Sequence, residues 1–211
     1  AAVVAFADAL GARLAEALHL HAEVRALRLP AGAPADADLG LATLAPDVAP
    51  FGAVAASVRS GDAAAVYLVE TLTVDGHPQP GFAVGLPAPV AHPESAAGLA
   101  LVRANLLDDF PNAVADFALH ELGHSLGLFH TTEADGSLSD PLTDTLPCPL
   151  ACDADGDGVL LASECGSRGR GDPPCQGASD NLMFWTFGGF LDATPGQRAV
   201  VARHPLVGPL P

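Results

Sequence analysis

Three histidines and one glutamate fall within HELGHSLGLFH, His120 to His130, in the pattern H-E-x-x-H-x-x-G-x-x-H. On a helix His120 and His124 lie one turn apart on the same face, so two imidazole nitrogens can reach one zinc ion, with Glu121 beside them. Gly127 can end that helix in a left-handed conformation and turn the chain so that His130 returns as the third ligand. Three protein ligands leave a fourth position for water. Zinc lowers the pKa of such a water from about 15.7 towards 7. Glu121 is then placed to take its proton as general base and later pass it to a leaving amine, which is the chemistry of peptide-bond hydrolysis. The alternative, chance histidines on a buried helix, requires five specified positions to coincide, on the order of one chain in 10⁴ at this length.

A second motif, DADGDGVLLASE from Asp153 to Glu164, fits the D-x-D-x-D-G-x₅-E loop that wraps calcium in oxygen ligands. Asp153, Asp155, Asp157 and the Val159 carbonyl would surround the ion, Gly158 would permit the sharp turn, and Glu164 would close the loop with both oxygens. An acidic, solvated turn is the competing reading. Pro147 and Pro149 before the loop and the glycines after it argue against the paired helices of a full EF-hand.

Cys148, Cys152, Cys165 and Cys175 cluster around this loop. Two disulfides are the simplest account and imply a secreted or periplasmic protein. A four-thiolate zinc site is the rival, but paired C-x₂-C knuckles are missing. Of the connectivities open to four cysteines, Cys152–Cys165 would join the two ends of the calcium loop. The favoured pairing is therefore Cys148–Cys165 with Cys152–Cys175, although the sequence does not choose among the three.

The chain of 211 residues is long enough for one sizeable domain, and its 49% hydrophobic content supports a core. No apolar run of about 18 residues occurs, so no membrane span is expected. A net charge of −16, with all nine basic residues arginine and none clustered, argues against nucleic acid and anionic membranes as partners. The expected partner is a protein or peptide substrate, acted on by a monomer. No signal peptide begins the chain, so a targeting segment, and with it a prosegment, is expected to be missing.

Val3, Phe6, Leu10, Leu14 and Leu18 recur at helical spacing, predicting an amphipathic helix over about 2–18 that backs a sheet. Strands are predicted at His21 to Leu29, Ala64 to Thr73, Gly81 to Leu86 and Gly98 to Val102, with a helix at about 50–59. PGFAVGLPAP could form an edge strand beside the cleft, where an extended peptide would add by main-chain hydrogen bonds. His19, His21, His77 and His92 read as surface residues. The histidine helix is expected to start at Asn112 as N-cap. Thr194, Pro195 and Gln197 form a capping box that opens a C-terminal helix to about Arg203.

The zinc motif followed by DNLMFW, Asp180 to Trp185, resembles the metzincin metallopeptidases. Met183, the lone methionine, stands where that family places an apolar floor beneath its three histidines. GLFHTTE, DPLTDT, DNLM and TPGQ are most similar to the pappalysin group, over about residues 65–204. The chain departs from that pattern at Thr132, where an aromatic is usual, and at Trp185, where tyrosine is common. An indole N–H only donates, so Trp185 cannot serve as a fifth ligand and is expected to shape the substrate pocket. The segment from Met183 to Thr194 would wall the same pocket. Asp192 would there favour a basic side chain, or else be a solvated loop residue.

The expected fold is α+β: a metzincin-like, two-lobed single catalytic domain over residues 1–211. An upper lobe over about 1–127 would hold a mixed twisted sheet with backing and active-site helices. A loop-rich lower lobe over about 128–211 would hold the calcium loop at 153–164 and end in a helix. The expected function is a secreted zinc-dependent endopeptidase with structural calcium. A calcium-dependent binding or adhesion module, weak or inactive as a catalyst, is the alternative from another class, and an enzyme still needing a partner domain is a third.

Overall fold

The computed structural model describes residues 2–24, 64–69, 73–74, 77–78, 80–83, 99–103, 110–166, 175–186 and 191–208. Its helices are α1 (Ala2–Leu18), α2 (Pro111–Ser125), α3 (Ala162–Cys165) and α4 (Pro195–Val201), with 3-10 turns at Leu150–Cys152 and Ala178–Asp180. The strands are β1 (Ala65–Val69), β2 (Thr73–Val74), β3 (His77–Pro78), β4 (Gly81–Ala83) and β5 (Leu99–Arg103). The helix expected at 50–59 and His92 lie outside the described residues, as do most of the strand expected at His21 to Leu29. Its first residues, His21 to Val24, form no regular structure.

Three strands form a mixed sheet in the order β1-β5-β4. β5 runs parallel to β1, with Ala65 opposite Leu99 and Val69 opposite Arg103. β4 runs antiparallel to β5, with Gly81 opposite Val102 and Ala83 opposite Ala100. Among the described residues β4 is therefore an edge, with main-chain groups on one side left to pair. β2 and β3 make a separate antiparallel ribbon.

The stripe on α1 buries Phe6, Leu10, Leu14 and Leu18, while Val3 at its first turn remains 42% exposed. The apolar face of α1 lies chiefly along α2. There it meets a core containing Val114, Ala118, Leu119 and Leu122, which the sheet reaches through Val66 and Leu68. Each fully buried leucine or phenylalanine contributes about 1.5–3 kcal/mol. Arg13 Nε donates to Asp116 at 2.7 Å across the α1–α2 contact, and Arg198 Nε of α4 donates to the Ala17 carbonyl at 2.9 Å. The same core takes in Leu182, Met183 and Val201 from beyond Gly127, so buried side chains on either side of that residue are continuous. A second, smaller cluster gathers Leu160, Ala178 and Phe184 around the four cysteines.

Candidate metal centre

α2 starts two residues earlier than its sequence suggested. Phe110 is the N-cap and makes no side-chain cap bond, and Pro111 takes the first helical position in place of a capping Asn112. Proline fits there because its fixed φ suits the helix and its missing N–H would be unpaired in any case. The helix ends in a Schellman turn: Gly127 N–H donates to His124 O and Leu128 N–H to Gly123 O, both at 2.9 Å. Gly127 has φ of 99°, which a side chain would resist. That turn sends the chain back along the helix and brings His130 to the other two histidines.

Candidate ligand nitrogens of His120, His124 and His130 all lie within 4.8 Å of one another. His130 Nε2 is 3.3 Å from His120 Nε2 and 3.0 Å from His124 Nε2. Two ligands each about 2.0–2.1 Å from a tetrahedral zinc ion would stand about 3.3 Å apart. The other ring nitrogens are all engaged with acceptors. His120 Nδ1–H donates to Leu182 O and His124 Nδ1–H to Leu128 O, each at 2.8 Å. His130 Nδ1–H faces both carboxylate oxygens of Glu133 at 3.2 Å. With their protons on Nδ1, the neutral rings of His120 and His124 turn bare Nε2 lone pairs toward the point where His130 Nε2 also lies. Burial, reinforced by the neighbouring histidines, pushes His120 down to about 3 and His124 down to about 4, so both rings stay neutral near pH 7. Converging lone pairs with no hydrogen between them repel unless a cation sits among them, so the donor set fits zinc.

Glu121 is buried at 9% exposure. Burial alone pushes its carboxyl up to about 8, and a divalent cation nearby would pull it back toward the ionised form that a base requires. Edge strand β4 touches this side chain. A Cβ added at Gly81 would come within 2.7 Å of both Cγ and Oε1 of Glu121. Gly81→Ala is expected to leave zinc content unchanged while lowering kcat on the order of 10²-fold, since the carboxylate must move. Wild-type kcat in a zinc-replete variant would show that Glu121 tolerates the displacement.

Met183 is fully buried beneath the helix. Gly123 admits it, because a Cβ there would lie 2.5 Å from the Met183 sulfur. The turn that carries this methionine also serves the ligands, since Leu182 O holds His120 and Met183 O accepts Thr131 N–H at 2.8 Å. It is itself held by a buried amide pair. Asn181 Oδ1 accepts from Met183 N and from Gln197 Nε2, and Asn181 Nδ2 donates to Gln197 Oε1. Gln197 also accepts from Thr194 N–H, completing the capping box of α4, which ends at Val201, short of Arg203. Gly123, Glu133 and Asn181 were not singled out in the sequence, and Gln197 only as a cap. Glu133 alone carried a signal, an acid three residues past a ligand histidine.

The cysteines pair as Cys148–Cys165 and Cys152–Cys175, the connectivity favoured above. Within the acidic loop Asp153, Asp155 and Glu164 bring carboxylate oxygens within 4.8 Å of one another, while Asp157 is outside this group. Asp157 instead accepts from Val159 N–H at 2.8 Å. Gly158 has φ of 83°, as the sharp turn requires. Glu164 lies on the single turn α3, so the loop has a short exit helix that the glycines after it had argued against. Leu160, buried in the loop, donates its N–H to Ala134 O at 2.7 Å and accepts from Trp185 Nε1 at 2.6 Å.

The structure places Trp185 as a strut against the disulfide cluster. Asp192 lines a crevice of about 280 Å³ with Arg13, Glu16, Asp116 and Arg198, between α1, α2 and α4. Residues 187–190 of the expected pocket wall lie outside the described residues. Thr132, at the position where an aromatic was expected, is buried and accepts Cys148 N–H at 2.8 Å, an anchor that an aromatic ring could not supply. No helix among the described residues is long and apolar enough to cross a membrane. Comparison with known proteins returns no matching family model, no matching curated protein and no matching solved structure.

Proposed function

We propose that the chain is a zinc-dependent endopeptidase of the metzincin type, closest in motif to the pappalysins. The observation that carries this reading is the convergence of the Nε2 atoms of three histidines, each backed at Nδ1 by an acceptor, beside a buried glutamate. When bound, zinc would supply Lewis acidity that polarises a carbonyl and makes water acidic near neutral pH. His120, His124 and His130 would hold the ion. Glu121 Oε1 or Oε2 takes a proton from the attacking water and returns it to the departing amine. The free edge of β4, running past Glu121 at Gly81, offers main-chain groups to an extended peptide and would align its scissile bond with that carboxylate.

We further propose that the 153–164 loop binds calcium as a structural ion and that the protein works outside the cytosol, where its two disulfides persist. An unstructured protein such as casein tests the reading. Cleavage that phenanthroline abolishes and added zinc restores is the expected result, and no cleavage by zinc-replete protein would sink it. Calcium at a hundred times its Kd should add about 2.7 kcal/mol of stability. A melting temperature that ignores calcium from micromolar to millimolar would make the loop only an acidic turn.

A further inference from the structure

The three rings are held from behind by unlike partners. His120 and His124 donate to main-chain carbonyls, which no substitution removes, whereas His130 donates to a side chain. That partner is an acid, it lies on the outer side of the site, and it is 46% exposed against 23% for the histidine. Its backbone is fixed from two directions. Glu133 N–H donates to Leu138 O at 3.0 Å and Glu133 O accepts from Gly136 N–H at 2.9 Å, closing a turn. The next residue, Ala134, accepts from Leu160 of the acidic loop, which in turn is held by Trp185.

His120 and His124 share the rigid frame of α2. His130 comes from the extended stretch beyond the Schellman turn, so it has the least backbone restraint of the three. We propose that Glu133 is the positioning residue that compensates, setting how tightly and for how long the three-histidine centre holds its ion. The inference rests on the zinc reading above. A carboxylate behind an imidazole fixes the ring's rotation, keeps the proton on Nδ1 so that Nε2 faces the ion, and offsets the positive charge that ligation puts on the ring. Losing such a partner costs about 10–100-fold in metal affinity. Because Glu133 is pinned through Ala134 and Leu160, the disulfide-bearing segment reaches the metal centre through this side chain, beside the anchor that Thr132 makes with Cys148.

The test measures zinc affinity by competition with a chromophoric chelator, zinc release rate, and the visible absorption of the cobalt-substituted protein. Wild type, Glu133→Ala, Glu133→Gln and the surface control Glu16→Gln are compared. Glu133→Ala should weaken zinc about 10–100-fold and speed its release. Glu133→Gln should fall between it and wild type, because its amide oxygen still accepts the hydrogen bond but brings no charge. The cobalt bands should shift in both, with Glu16→Gln unchanged. The metal-free melting temperature should hardly move, which separates this role from a structural one. Equal zinc affinity and cobalt spectra in wild type and both Glu133 variants would overturn the proposal. Should wild type itself bind no zinc, and His130→Ala change nothing, the zinc reading fails first and the role of Glu133 with it.

Discussion

Glu121→Gln is expected to keep the proposed zinc ion and the fold and to lose about 10²–10⁴ in turnover. The amide is isosteric, so the ligand histidines and β4 meet the same shape, and only the proton acceptor is gone. The same substitution has a second, opposite effect in the metal-free protein. Burial raises the Glu121 carboxyl from its ordinary 4.5 to about 8. A group raised on folding contributes its full share of stability below the unfolded value and loses it as pH rises through the folded value. Metal-free wild type therefore pays on the order of a few kcal/mol to ionise Glu121 above about pH 8. Glutamine pays nothing, and the histidine contributions cancel between the two proteins. In chelator, Glu121→Gln should melt close to wild type near about pH 5 and well above it near about pH 9. Wild-type turnover at full zinc content would remove Glu121 from the chemistry, and parallel melting curves across pH would remove its buried charge.

His130→Ala is expected to empty the proposed zinc site. The variant loses one of three candidate nitrogen donors and, with it, the one of the three whose Nδ1 rests on a side chain. Its affinity should fall by more than the about 10–100-fold typical of losing an outer partner. Elemental analysis after dialysis against a weak chelator should find little zinc, and casein cleavage should fall with it. The fold should persist without the ligand, because Gly127, Leu128 and Thr131 are held by main-chain bonds to His124, Gly123 and Met183 that do not involve the ring. Zinc content equal to wild type would show that the ion, if bound, is held elsewhere.

The parts of this centre that could be read from the chain are those whose partners lie within a helical turn or a fixed loop. His120, Glu121 and His124 share a face by helical geometry, Gly127 turns the chain by its own conformational freedom, and the capping box at Thr194 and Gln197 spans three residues. The contacts that could not be read are long-range. Gly123 is an unremarked x inside the zinc motif until Met183 packs on it from sixty residues away. Gln197 looked fully used by its cap, yet it also grips Asn181. Gly81 had only a strand to belong to, and nothing local tied it to Glu121. The N-cap was misplaced at Asn112 because asparagine is the stronger local signal, whereas the proline before it sets the first turn. An apolar stripe says that a face of α1 is buried and not against what, so its packing along α2 was not legible.

The two disulfides flank the acidic loop in a particular way, with Cys148 and Cys152 before it and their partners Cys165 and Cys175 after it. Residues 154–158 of that loop are exposed, as a target for proteolysis would be. A single nick between Asp153 and Glu164 would leave both halves joined by two covalent crosslinks. The half bearing the three histidines could not drift from the half bearing Met183. On a gel the nicked chain would run as two pieces after reduction and as one before it. A chain built this way can be cut in that exposed loop and still keep its three clustered histidines and Met183 in one molecule.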